Sequence, residues 1–160
     1  WNVFIIDALI GNWDRHNGNW GFLYNTTTDE IAIAPVYDCG SCLYPQADEA
    51  IMRDTIVKQQ ERDLRTFSIP LSSIKVNGKK INYFDFISSL ENADCNTALK
   101  RILPKINMDA IFRIVDETPF ISDLQKQFYK TMLRTRKERI LDFAMEKLRK
   151  REKAKELDAR

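Results

Sequence analysis

Asp14-Arg15-His16-Asn17-Gly18-Asn19, followed further on by Pro35-Val36-Tyr37-Asp38, is the part of the sequence from which the rest is read. An apolar run from Val3 to Ile10, carrying the single acid Asp7, leads into it, and Gly11-Asn12 breaks that run. The pattern predicts a helix that delivers the chain into a tight loop. Beyond the loop, residues 20–24 and 31–36 are strand-like on either side of a polar turn from Asn25 to Glu30. They predict a hairpin that carries the chain away and back again, so that Asp38 returns to the neighbourhood of Asp14 and Asn19.

Length and charge narrow the classes available. A chain of 160 residues is the size of one domain with a core of its own. With 25 basic and 23 acidic residues the charge is balanced, and no direct nucleic-acid binding is expected. Five Gly, five Pro and 44% hydrophobic residues exclude a disordered or low-complexity chain. No apolar window is long enough to predict a membrane span. Cys39 and Cys42 have the spacing of a metal or redox pair. No second pair follows, and the only histidine, His16, lies in the loop, so zinc is not expected. Reduced thiols in a cytoplasmic protein are the expectation. The chain begins Trp1-Asn2 without Met or a signal pattern and is taken as cut from a longer protein.

The remainder reads as mainly helical. Asp48 to Arg65 is charged and predicted as helix. Asn77-Gly78 between alternating residues predicts a second hairpin over about 73–82. Helical spacing recurs in Tyr83 to Leu90, Thr97 to Leu103 and Met108 to Val115, with Phe84, Ile87 and Leu90 on one face and Ile111, Ile114 and Val115 on another. Pro104 and Pro119 punctuate. From Phe120 the series Ile121, Leu124, Phe128, Met132, Ile140, Phe143, Ala144 and Leu148 describes one long amphipathic helix. It runs out into the basic stretch from Arg149 to Lys155, so 1–148 is read as a lobe and 149–160 as a basic helical tail.

The loop has the residue types that phosphoryl transfer requires. That reaction asks a protein for alignment and charge neutralisation rather than covalent work. Asp14 has a carboxylate that can orient or deprotonate a hydroxyl. Asn19 and Asp38 offer hard oxygen donors of the kinds Mg²⁺ accepts beside water and phosphate. Arg15 and His16, between them, are candidates for stabilising the transferring phosphate, or, for His16, for holding the loop's shape. Trp13 and Trp20 are expected to pack the loop down, and Asp7 to orient it. A lone Asp-x4-Asn spacing arises often by chance; the joint pattern of helix, loop, hairpin and Tyr37-Asp38 does not.

Residues Ile10 to Gly21, with Ala34 to Gly40, resemble the C-terminal kinase domain of the HipA-like serine/threonine kinases. In that family the pattern runs Ile-Gly-x-x-Asp-x-His-x-x-Asn and later Pro-x-Tyr-Asp. The resemblance covers about the first forty residues and implies a protein-kinase-like C-lobe, a helical bundle with one or two small hairpins. It implies ATP and Mg as cofactors, Asp14 with His16 and Arg15 as the catalytic group, and Asn19 and Asp38 as magnesium and nucleotide ligands. A protein substrate, an antitoxin-like regulator and a bacterial source are implied with it. Asp14-Arg15-His16-Asn17 is also similar to phosphoinositide-kinase catalytic loops, although those have Asp-Phe-Gly where this chain has Asp38-Cys39-Gly40. A third reading is a non-catalytic helical module with its functional surface on the long helix. It is separated from the others by whether Asn19 and Asp38 approach one site and Asp14 lines the same cleft. A kinase also needs a glycine-rich loop and a strand Lys to grip ATP; neither is found here, so the chain alone is expected to be inactive.

Overall fold

The apolar run becomes α1 (Asn2–Ile10), which buries Phe4, Ile5, Ala8 and Leu9 and, among them, the carboxylate of Asp7. A helix apolar on nearly every side belongs inside a bundle rather than on it. In the computed structural model, which describes residues 1–158, α5 (Ala93–Ile102), α7 (Asp123–Arg136) and the turn over 137–142 pack on it, α4 (Tyr83–Ser89) meets it where Tyr83 and Phe86 touch Phe4, and α8 (Phe143–Asp158) packs on α4 and α5. Tyr83, Ile87, Leu99, Leu133, Ile140 and Leu141 complete this core. Each large side chain buried there contributes about 1.5–3 kcal/mol. A smaller core of Met52, Phe128 and Met132 joins α2 (Glu49–Val57) to α7. α3 (Gln59–Asp63) and α6 (Met108–Glu117) complete the helices among the described residues.

Two separate antiparallel hairpins interrupt the helices. β1 (Phe22–Asn25) pairs with β2 (Glu30–Ile33), shorter than the expected strands at both outer ends. β3 (Leu71–Val76) and β4 (Lys79–Asn82) turn at Asn77-Gly78, both left-handed (φ 51° and 77°), as a two-residue hairpin loop requires. The mainly helical class with two small hairpins is therefore the one expected.

Four local expectations change. The segment from Asp48 to Arg65 is two helices parted at Lys58, which is extended (φ −90°, ψ 121°), and the second widens into a π turn over Leu64–Ser68. The long C-terminal helix starts at Asp123 rather than Phe120. Ser122 caps it and exchanges hydrogen bonds with Gln125, while Phe120 is left-handed and fully exposed. A π turn over Lys137–Asp142 then shifts the buried face, which leaves Phe143 exposed while Ile140, Leu141 and Ala144 stay inside. On α6, Ile114 faces solvent, while Val115 is buried and Met108, Ile111 and Phe112 pack against the core beside it. α8 continues through 148 into the basic stretch without a break; Ala159 and Arg160 lie outside the described residues.

Arg136 is the largest fully buried side chain. Its Nε donates to the Ala8 carbonyl (2.7 Å) and its Nη1 to the Arg65 carbonyl (2.6 Å) and the Tyr44 hydroxyl (3.0 Å). No carboxylate pairs with it among the described residues. The cation lies instead at the carbonyl ends of α1 and of the turn after α3, where helix dipoles favour positive charge.

Cys95 packs in the core, and burial pushes its thiol up from 9.0 to about 11. The folded state thus holds the proton where the unfolded chain has released it. Stability contributed by this group is complete below pH 9 and is lost as pH rises towards 11. Chemical denaturation of the protein and its Cys95→Ala variant should show the parent's stability falling more steeply across that interval; parallel curves would refute it.

Candidate active site

Gly11 ends α1 in the left-handed region (φ 65°), its N–H donating to the Asp7 carbonyl, and turns the chain sharply into the loop. Asn12, fully buried, comes next. Its Nδ2 donates to Asp7 Oδ1 (2.9 Å), its Oδ1 accepts from the Asp14 N–H (3.0 Å), and its carbonyl accepts from the Tyr83 hydroxyl (2.5 Å). The Ser73 hydroxyl, from β3, donates to the Trp13 carbonyl (2.7 Å). The loop is therefore fastened to α1 below it and to the second hairpin and α4 beside it.

Asp14 is held by its main chain alone. Its N–H is bound by Asn12, and its carbonyl accepts from the His16 N–H (3.0 Å) and from Asn19 Nδ2 (2.8 Å). The half-buried carboxylate makes no hydrogen bond or ion pair among the described residues. A fixed backbone under an unengaged carboxylate is the arrangement a positioned proton acceptor needs. Asn19 is buried with its amide nitrogen committed to Asp14. Its Oδ1 meets no donor among the described residues and is not sealed from solvent.

His16 caps the short turn Asn17–Asn19, its Nδ1 accepting from the Gly18 N–H (3.0 Å). A Cβ on Gly18 would stand 3.0 Å from the His16 ring. The ring thus holds the loop's shape in this structure.

Arg15 is buried and uses every N–H it has. Nε and Nη2 reach the two oxygens of Asp7 (3.0 and 3.1 Å), Nη1 bridges the carbonyls of Asn19 (2.9 Å) and Tyr37 (2.6 Å), and Nη2 also faces Cys39 Sγ (3.7 Å). The Asp7 carboxylate fixes the guanidinium charge more firmly than usual, outweighing burial. No donor is left for a phosphate. Arg15 instead draws the end of the loop and the residue before Asp38 onto one nitrogen. The Tyr37 hydroxyl donates to the Gly18 carbonyl (3.1 Å), so Tyr37 is latched to the loop at both ends. Asp38 follows it, left-handed (φ 55°) and exposed, with no side-chain partner among the described residues.

Asp14 and Asn19 thus belong to one hydrogen-bonded unit that Tyr37 joins, with Asp38 next to Tyr37 in the chain and making no bond of its own among the described residues; sequence reasoning missed Asn12, Tyr37, Ser73 and Tyr83. Only Tyr37 carried a signal, through its place before Asp38. A cleft of about 370 Å³ between α1, the loop and the first hairpin is lined by Asp7, Arg15, His16, Asn19 and Trp20 among others, but not by Asp14 or Asp38. Trp13 and Trp20 are about half exposed and do not pack the loop down; polar anchoring does that work. Beside Asp38, burial next to Cys39 pushes the Cys42 thiol up to about 12. Among the described residues no three His, Cys, Asp or Glu side chains cluster as a metal cage, and no helix is long and apolar enough to cross a membrane.

A helical body in which a polar loop, a short hairpin and a returning Asp form one unit is the architecture of a kinase-like lobe. No family model matches the chain. It is 49% identical over 145 residues to the serine/threonine-protein kinase CtkA of Helicobacter pylori, a match covering 90% of this chain and 45% of that protein. A crystal structure of a Helicobacter pylori proinflammatory kinase CtkA matches with a TM-score of 0.86 and 49% identity, over 91% of this chain and 53% of that one. The chain spans about half the length of these relatives.

Proposed function

We propose that the chain is the catalytic-loop part of a HipA-like, ATP-dependent serine/threonine protein kinase, the remaining grip on ATP coming from sequence outside the region matched to its relatives. The observation that carries this reading is the free Asp14 carboxylate on a main chain clamped by Asn12 and Asn19. Asp14 accepts the proton of the acceptor hydroxyl. Asn19 Oδ1 and the Asp38 carboxylate would hold magnesium, a carboxamide and a carboxylate being hard oxygen donors of the kinds Mg²⁺ accepts beside water and phosphate. When bound with ATP, the metal neutralises phosphate charge. Arg15 is a positioning residue, not a phosphate ligand, and His16 maintains the loop. The similarity to a serine/threonine kinase supports a protein hydroxyl over a phosphoinositide as acceptor. The basic stretch from Arg149 is read as a tail on this lobe.

The test is phosphotransfer from labelled ATP with Mg²⁺ in the longer protein. The parent should label Ser or Thr, and Asp38→Ala should lose activity by orders of magnitude with an unchanged melting temperature. An unlabelled parent would remove the kinase reading, and an active Asp38→Ala the metal assignment. The 160-residue chain alone should transfer nothing; robust autophosphorylation would show that it needs no further sequence.

A further inference from the structure

Cys39 and Cys42 are free thiols, the first exposed and the second half-buried behind it. The Cys42 N–H donates to the Cys39 carbonyl (3.1 Å) and closes a four-residue turn. Such a turn keeps its end Cα atoms within about 7 Å. Disulfides span Cα separations of about 4.4–6.8 Å, so the bridge needs little backbone movement. Both sides of the turn are anchored. Upstream, the Tyr37 carbonyl is bound by Arg15; downstream, the Leu43 N–H donates to the Ile10 carbonyl (2.9 Å). Asp38, Leu43 and Tyr44 flank it in the left-handed region (φ 55°, 55° and 57°), a conformation uncommon for such residues that fixes where the turn can lie.

We propose that Cys39 and Cys42 are an oxidisable pair, closed to a disulfide by hydroperoxides, and that closure loosens the loop holding Asp14 through Arg15. An accessible thiol beside a resolving thiol is the arrangement of redox-sensing cysteines. The hydroperoxide transfers oxygen to Cys39, its O–O bond breaks, and Cys39 becomes a sulfenic acid with release of water or an alcohol. The Cys42 sulfur then attacks the Cys39 sulfur; the S–S bond forms, the S–O bond breaks, and hydroxide leaves with the thiol proton as water. The two sulfurs give up two electrons, which reduce the peroxide. Bonding to Cys42 turns the Cys39 sulfur from Arg15 Nη2, the group that also holds Asp7 and, through its neighbouring nitrogen, Asn19 and Tyr37. The consequence for phosphotransfer rests on the function proposed above.

The 160-residue chain is treated with hydrogen peroxide, alkylated and weighed. The three free thiols should fall to one, Cys95, with the mass of two hydrogens lost from the peptide that carries Cys39 and Cys42. In Cys42→Ser the reaction should stop at a dimedone-reactive sulfenic acid on Cys39. Amide exchange across residues 14–19 should accelerate on oxidation and recover with dithiothreitol. Three thiols surviving, or overoxidation of Cys39 without bridging, would overturn the pair. A bridge that leaves exchange unchanged would overturn the link to the loop. In the longer protein, oxidation should slow phosphotransfer by an order of magnitude, reversibly, and leave Cys42→Ser unaffected. A reduced protein that transfers nothing would count against the kinase reading and leave the thiol and exchange results standing.

Discussion

Asp14→Asn should lower phosphotransfer by about 10²–10⁴-fold, the contribution of a positioned general base, while moving stability by no more than about 0.5 kcal/mol. Separation of the two effects follows from how the residue is held. Every bond that fixes Asp14 is made by its main chain: the N–H to Asn12 and the carbonyl to His16 and Asn19. Asparagine keeps all of them and the side-chain shape, and removes only the charge. The magnesium ligands proposed at Asn19 and Asp38 are untouched, so KM for ATP should change little and the loss should fall on kcat. Asn19→Ala gives the contrast, because it removes both the proposed ligand and a bond that fixes Asp14; it should lower kcat and raise KM together. Steady-state kinetics with a melting curve for each variant decides the matter. An Asp14→Asn protein at near parental rate would mean that the carboxylate has no part in the chemistry.

The features that sequence made readable are those whose cause is local. α1 follows from an apolar run stopped by Gly11, the second hairpin from Asn77-Gly78, and the return of Asp38 from the first hairpin. The start of α7 was written in the sequence as well, in the Ser122-x-x-Gln125 capping box, but apolar periodicity alone reads the helix from Phe120. The break at Lys58 had no such mark. Arg62 Nη1 donates to the Thr55 and Ile56 carbonyls, so α2 ends without Gly or Pro. Arg15 and Arg136 were beyond sequence for one shared reason: the bonds that tie distant segments together through them end on main-chain carbonyls, which every residue has. Arg136 reaches Ala8 across 128 positions, and Arg15 reaches Tyr37 across 22. A basic residue between two candidate ligands suggested a phosphate contact. The three-dimensional arrangement gives it five protein acceptors instead.

Arg15→Ala should therefore cost about 3–5 kcal/mol, because it strands the Asp7 carboxylate in the core with Asn12 as its remaining side-chain donor. Arg15→Lys keeps the charge, but one ammonium cannot span both oxygens of Asp7 and also bridge Asn19 and Tyr37. It should retain more stability than the alanine variant, and its kcat should fall along with it. The double replacement Asp7→Leu with Arg15→Met separates the two duties. Removing a buried pair together, in favour of apolar groups of similar size, is often neutral or stabilising, so urea unfolding should return close to the parent. Phosphotransfer should not return, since no side chain then joins the Asn19 carbonyl to that of Tyr37, and the backbone before Asp38 keeps only the latch from the Tyr37 hydroxyl to Gly18. A double variant that regained both stability and activity would reduce Arg15 to a counterion. One that regained stability alone would establish that the guanidinium assembles the site as well as neutralising Asp7.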